Sequence, residues 1–313
     1  MAKCDRCSKE AKVFLSYGPH SFCKEHFLEF FEKRVRKTIN RYRLVRPGER
    51  IAVGVSGGKD SITCLHLLKK IFPKGTEIHA VCIDERIKGY RDKALKIAEK
   101  HFKELKVDFT VLKMKKELGF SMVEVAKKLR ARKNLQETQG TCSYCGVFRR
   151  KLLNDFAFKE KFDKLATGHN LDDEVQTILM NVLQNDVSKF SRLGPLVGGD
   201  SEKFVPRIKP LYETPEKEII AFSQFQGWKV YSAECCPFSF QAKRNAFRKA
   251  VDEIEGKYPN VKYSAISFYQ SIKPFLQNSG KKVGLNYCKS CGMPSSGLEC
   301  AACTQLKKLI QKD

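Results

Sequence analysis

The segment Ile51-Ala-Val-Gly-Val-Ser-Gly-Gly-Lys-Asp-Ser61 constrains the fold of this chain more than any other. Its apolar first half reads as a buried strand, Ser56 to Ser61 as a turn, and the residues from Ser61 to Ile71 as a helix with apolar positions at helical spacing. A glycine turn of this kind aims backbone N–H groups and the positive end of a helix at one point, which suits an anion. A ligand-free turn is the simpler alternative, but glycines, two serines and Lys59 converge here. The turn is not a Walker A loop, because Lys59 is followed by Asp60 where Ser or Thr would hold magnesium.

Strand and helix then alternate along the chain. Strands are expected at Ile78–Ile83, Val107–Leu112 and Leu165–Thr167. Helices are expected from Asp92 to Phe102, to an end near Lys128, and from Asp172 to Leu183, with an earlier one from Glu25 to Arg43. This order predicts an α/β fold: a mostly parallel sheet with helices on both faces and ligands at the carboxyl ends of its strands. A basic segment runs through Lys151, and Asp186 to Pro210 reads as a loop. Helical patterns return at Pro215–Gln226 and Gln241–Lys257.

Thirteen cysteines in a large chain, clustered in Cys-x-x-Cys pairs, point to metal rather than to a disulfide framework. Cys4, Cys7, Cys23 and His26 form two chelating pairs, as do Cys288, Cys291, Cys300 and Cys303; each quartet suits a closed, structural tetrahedral zinc. Cys142 and Cys145 have no adjacent partner pair. With Cys235 or Cys236 they would satisfy three irons of a [4Fe-4S] cluster and leave one open; a redox dithiol and a third zinc site are the alternatives. Cys64 and Cys82 sit in apolar contexts and read as packing residues.

The chain carries a net charge of +24, which favours a polyphosphate partner such as nucleic acid. Basic runs at Lys127–Lys133 and around Lys243, Arg244 and Arg248 are candidate phosphate contacts, although such runs are commonly solvated helix faces. With no apolar run of membrane-spanning length and no leader-like start, the expectation is a soluble, cytoplasmic protein without a membrane partner.

Ser56 to Ser61 resembles the SGGxDS PP-loop of the ATP pyrophosphatases, and Gly168-His-Asn-Leu-Asp-Asp173 resembles the GHNxDD segment of their tRNA-modifying branches. Together with Thr141–Arg150 and the terminal cysteine quartets, these motifs are similar to the TtuA/TtcA/Ncs group of PP-loop tRNA thiolases over nearly the whole chain. Within that group the TtuA type, which makes 2-thiouridine in the T-loop of tRNA, is nearest. The resemblance implies a HUP-like fold divided into an N-terminal zinc finger (1–30), a PP-loop catalytic domain with the iron–sulfur site (31–228), a helical extension (229–282) and a C-terminal zinc ribbon (283–313). It implies ATP held by Gly54, Ser56, Gly57, Gly58, Lys59, Asp60, Ser61, Ile83, Arg149, Gly168 and Asp173, with Lys59, Asp60, Arg149 and Asp173 catalytic. It also implies Mg²⁺, two Zn²⁺ and a [4Fe-4S] cluster on Cys142, Cys145 and Cys235. The partners it implies are tRNA and a ubiquitin-like thiocarboxylated sulfur carrier, with a homodimer as a candidate assembly. The rival functions are a wobble-uridine thiolase, a non-catalytic zinc-ribbon nucleic-acid binder and an amidotransferase-type ligase.

Overall fold

The computed structural model describes residues 2–72, 75–131, 140–199, 201–232, 236–239, 242, 244–279 and 286–310. In chain order its elements are β1 (Val13–Leu15), β2 (His20–Phe22), α1 (Lys24–Arg41), β3 (Arg50–Gly54), α2 (Lys59–Ile71), β4 (Glu77–Asp84), α3 (Arg91–Leu105), β5 (Asp108–Lys113), α4 (Met114–Leu118), α5 (Met122–Ala131) and α6 (Thr141–Lys159). There follow β6 (Lys164–Thr167), α7 (Leu171–Leu183), α8 (Val187–Phe190), β7 (Leu196–Val197), β8 (Arg207–Ile208), α9 (Glu216–Phe225), α10 (Arg244–Lys257), α11 (Val261–Ser279), β9 (Asn286–Tyr287), β10 (Pro294–Ser295) and α12 (Ala301–Ile310).

The main sheet has the order β5-β4-β3-β6-β8-β7, parallel except for β7 at the edge. Alternation along each strand sorts its residues onto two cores. Ile51 and Val53 of β3 join Ile78, Ala80 and Cys82 of β4 beneath α2, α3 and α9. Ala52, Val81 and Leu165 face the other way, onto Ala157 of α6 and Phe162. Burial on both faces explains why these strands read as unbroken apolar runs.

The N-terminal hairpin β1–β2 is not a separate bead. Leu15, Phe22 and Cys23 share the first core, and α1 continues across residue 30 with Phe31 stacked on Phe222 at 4.1 Å. A buried ion pair, Arg34 to Glu218 at 2.6 Å, ties α1 to α9, and Tyr17 donates to the same carboxylate at 2.6 Å.

Three segments depart from the sequence reading. The part of the basic segment from Thr141 through Lys151 lies in the 19-residue helix α6, packed against the sheet, α5 and α12; with neighbours on several sides its apolar residues spread around the axis and no single stripe marks it. The expected loop at Asp186–Pro210 contains α8 and the two-residue strands β7 and β8, too short for any periodicity to announce. Helix α2 begins at Lys59 rather than Ser61, so Lys59 and Asp60 lie in its first turn. Among the described residues no helix is long and apolar enough to cross a membrane.

Candidate active site

The strand order reverses direction between β3 and β6, and a sheet of this kind opens a crevice at that point. Gly54 and Thr167 are paired in register, so the turn after β3 and the turn after β6 leave the sheet side by side. Their contact is close: a Cβ on Gly168 would lie 2.8 Å from backbone atoms of Asp60 and Ser61. Gly57 has φ +89°, and a Cβ there would meet the Ala94 carbonyl of α3 at 2.3 Å. Within the turn, Ser56 N donates to Ser61 Oγ at 3.0 Å, the two hydroxyls lie 3.1 Å apart, and Ser61 Oγ donates to the Gly58 carbonyl at 3.0 Å. No side chain caps α2, whose N-terminus therefore presents its positive end to the crevice.

Lys59 donates to Asp60 at 3.1 Å and to Glu216, in the first turn of α9, at 2.6 Å. Burial alone would lower its pKa, but the two carboxylates outweigh that and hold it above the ordinary lysine value. Asp60 also accepts from Asn170 Nδ2 at 3.0 Å. Its carboxyl is pushed up, first by burial and then by the nearby Asp173, against the opposing pull of Lys59.

Asn170 and Asp173 form a capping box at the start of α7: Asp173 N donates to Asn170 Oδ1 at 3.0 Å, and Asn170 N to Asp173 Oδ2 at 3.4 Å. Arg244 of α10 donates to Asp173 Oδ1 at 2.8 Å. The neighbouring acids are anchors. Asp172 takes the Lys262 ammonium and the Glu216 N–H, and Glu174 takes Lys209 at 2.7 Å. His169 turns to Thr167 Oγ1 at 2.8 Å.

The far wall comes from β4, α3 and α6. Arg91 is buried and donates to the carbonyls of Ile83 and, at 2.7 Å, Ser56, while pairing with buried Glu85 at 2.9 Å. Arg149 reaches the same Glu85 at 3.4 Å. Burial would lower the Arg149 pKa, but Glu85 and then Cys145 reverse the sign and raise it. Arg150, next on the helix, is exposed and lines one cavity with Arg207.

Sequence reasoning singled out neither Glu216, Arg91 nor Glu85, and read Arg244 as a candidate phosphate contact rather than as a partner of Asp173. Only the Asn-x-x-Asp spacing of Asn170 and Asp173 was a local signal.

Cys142 and Cys145 occupy the first turns of α6, and Cys142 Sγ lies 3.2 Å from the Phe238 carbonyl. Cys145, Cys236 and Phe238 share one apolar cluster, and the Cys236 thiol is an electrostatic neighbour of both Cys142 and Cys145. Burial pushes the Cys145 thiol up to about 12, so it stays a neutral thiol until a metal displaces its proton. Cys235 lies outside the described residues. Cys64 and Cys82 are fully buried packing residues.

The terminal quartets each bring four ligand atoms within 4.8 Å of one another, and each could hold a metal ion. A tetrahedral site with zinc–sulfur bonds of about 2.3 Å has sulfur–sulfur edges of about 3.8 Å. Cys7 and Cys23 are 3.8 Å apart, Cys291 and Cys300 3.7 Å, and His26 Nδ1 lies 3.3 Å from Cys4. Burial opposes the Cys4 thiolate, but backbone N–H groups of Cys23 and Arg6 hold its pKa down at about 6.

Residues 27–254 match the PP-loop domain family. The chain is 36% identical to the tRNA-5-methyluridine(54) 2-sulfurtransferase of Pyrococcus horikoshii over 96% of its own length and 92% of that protein's. It is 32% identical to the tRNA 2-thiolation protein NcsA of Haloferax volcanii over 98% and 99%. Among solved structures it resembles the U34-tRNA thiolase NcsA of Methanococcus maripaludis with its [4Fe-4S] cluster, at a TM-score of 0.83 and 31% identity over 100% and 98% of the two chains. With both motif loops in one crevice and likeness over essentially full length, the chain belongs to the PP-loop family of tRNA 2-thiolation sulfurtransferases.

Proposed function

We propose that this protein is an ATP-dependent tRNA sulfurtransferase that replaces O2 of a uridine, the T-loop uridine, with sulfur. The observation that carries the reading is the meeting of Ser56–Ser61 and Gly168–Asp173 at one crevice, with Cys142 and Cys145 on the adjoining helix.

A uracil C2 carbonyl is a poor electrophile with a poor leaving group. Its O2 therefore attacks the α-phosphorus of ATP, and pyrophosphate departs held by Lys59 and the N–H groups of Gly57 and Gly58. Gly54, Ser56, Ser61 and Gly168 line the phosphates, and Ile83 lies along the adenine side. Asp60 and Asp173 are close enough to repel, and such a pair accommodates Mg²⁺ once Lys59 turns to the phosphates. Arg149 stabilises charge on the α-phosphate. A sulfide equivalent then attacks C2, and AMP leaves carrying the original O2.

Cys142, Cys145 and Cys235, or in its place Cys236, would hold a [4Fe-4S] cluster, and the donor set fits: among the described residues Cys145 and Cys236 share one apolar cluster, and Cys142 is an electrostatic neighbour of Cys236. When bound it supplies an iron without a protein ligand, where sulfide can be received. The quartets Cys4, Cys7, Cys23, His26 and Cys288, Cys291, Cys300, Cys303 hold structural zinc, and a thiocarboxylated ubiquitin-like carrier delivers the sulfur.

Mapping thiolated nucleotides in a strain lacking the gene tests the position. Loss at 54 supports the T-loop. Loss at 34, the reading favoured by likeness to a U34-tRNA thiolase, overturns it. For the third ligand, iron and thiolation are measured in anaerobically reconstituted Cys235→Ala and Cys236→Ala: loss in one alone assigns the ligand, and full activity in both ends the cluster as drawn.

A further inference from the structure

A cavity of about 200 Å³ lies between α6, β8 and the C-terminal knuckle, with Arg150 and Arg207 among its walls and apolar Val147, Phe204, Met293 and Pro294 around them. Neither guanidinium has a carboxylate partner among the described residues, whereas Arg34, Arg91, Arg149 and Arg244 each have one. The nearby acids are already engaged. Asp155, which lines the cavity, is paired with Lys151 at 2.7 Å, and Glu174 with Lys209 at 2.7 Å. Arg207 packs over the Phe204 ring at 5.6 Å, and its Nε is shut off from solvent with no acceptor. A buried donor left without an acceptor is costly, and the guanidinium that carries it lines the cavity, where an oxyanion can pair with its outer N–H groups.

We propose that Arg150 and Arg207 form a seat for a backbone phosphate of the substrate RNA, distinct from the phosphate site of the nucleotide. Placement separates the two. Successive residues on a helix diverge by about 100°, so Arg149 turns to Glu85 and the nucleotide side while Arg150 turns to β8. Arg207 stands on β8, two strands from the β3 turn, or about 10 Å at the usual strand spacing. Met293, Pro294 and Cys300 of the C-terminal knuckle line the cavity, and none of Ser56–Ser61 does. Arg150 is exposed, and the positive charges of Arg207, Arg149 and Arg244 bear on it, a repulsion that a phosphate relieves.

The seat rests on the thiolase reading, and the experiment keeps the two apart. Binding of an unmodified tRNA transcript to the full-length protein is measured without ATP across a salt series, and KM for ATP separately, for wild type, R150Q, R207Q and R150K. Thermal melts confirm folding. R150Q and R207Q should each weaken tRNA binding about tenfold and reduce the salt slope by about one, with KM for ATP unchanged. R150K, which keeps the charge but loses the fork, should recover the slope and only part of the affinity. Unaltered tRNA binding in folded R150Q and R207Q overturns the seat while leaving the enzyme assignment standing. A raised KM for ATP with intact tRNA binding also overturns it, giving the site to nucleotide phosphate. A wild type that binds no tRNA overturns both.

Discussion

Gly168→Ala isolates the contact on which the active site depends. Gly168 carries no positive φ, so an added methyl group brings no backbone strain of its own; its whole effect is contact with the carbonyl of Asp60 and the amide of Ser61 at 2.8 Å. Ordinary contact begins near 3.4 Å, and the obstructing atoms are backbone, so the two turns must part by about half an ångström or more. Overpacking of this kind costs about 1–3 kcal/mol, which in a chain of this size lowers Tm by several degrees. The chemical penalty is larger in proportion, because moving the phosphate turn against the Asn170–Asp173 turn misaligns groups that must converge on one phosphorus. A displacement of about 1 Å costs about a hundredfold, so the variant should release AMP from ATP and tRNA some ten to a hundred times more slowly. Gly119→Ala is the control: Gly119 has φ +84° with open space around it, so alanine there strains the backbone by about 1 kcal/mol without touching the crevice. AMP release within twofold of wild type in Gly168→Ala, with unchanged Tm, would refute the abutting-turn geometry.

Lys59→Ala and Asp60→Ala should each reduce AMP formation at least a hundredfold while tRNA binding, measured by filter retention, stays near wild type. Cys4→Ser and Cys288→Ser should each lose about one zinc per chain and melt at lower temperature yet retain iron, as read by metal analysis; loss of iron with zinc retained would redistribute the ligands. Arg34→Met should destabilise by about 3–5 kcal/mol in denaturant titration, because it leaves Glu218 buried without its cation. His66, 2.9 Å from His101 and stacked on Trp228 at 4.0 Å, is pushed down to about 4, first by burial and then by His101. A folded-state pKa below the ordinary 6.5 means that its contribution to stability is complete above about pH 6.5 and is lost as pH falls toward 4. Urea midpoints measured across that window should show the slope, and His66→Phe should flatten it.

What could be read along the chain is what local chemistry specifies. The apolar run before Ser56, the glycines after it and the helical spacing to Ile71 define strand, turn and helix within some twenty residues. The zinc-type quartets are equally legible, because chelating pairs at Cys-x-x-Cys spacing need only one tight turn each. Even the buried strands announce themselves through unbroken apolar runs.

Tertiary structure decided which of these local pieces meet. Nothing near Lys59 foretells Glu216, 157 residues away, and nothing near Asp60 foretells Asn170, 110 residues away; the packing of α9 on α2 makes the first contact and the neighbouring of β3 and β6 the second. Arg244, on a run with the composition of a solvated face, is drawn to Asp173 by the packing of α10 on α7. Helix α6 escaped notice because it is covered on several sides, and β7 and β8 because two residues have no period. Arg150 and Arg207 are fifty-seven positions apart, and only the neighbouring of α6 and β8 brings them to one cavity. Periodicity and spacing report the interactions a residue has with its own turn of chain. The functional contacts cross the sheet, where the partner is selected by strand order and by the burial of distant faces.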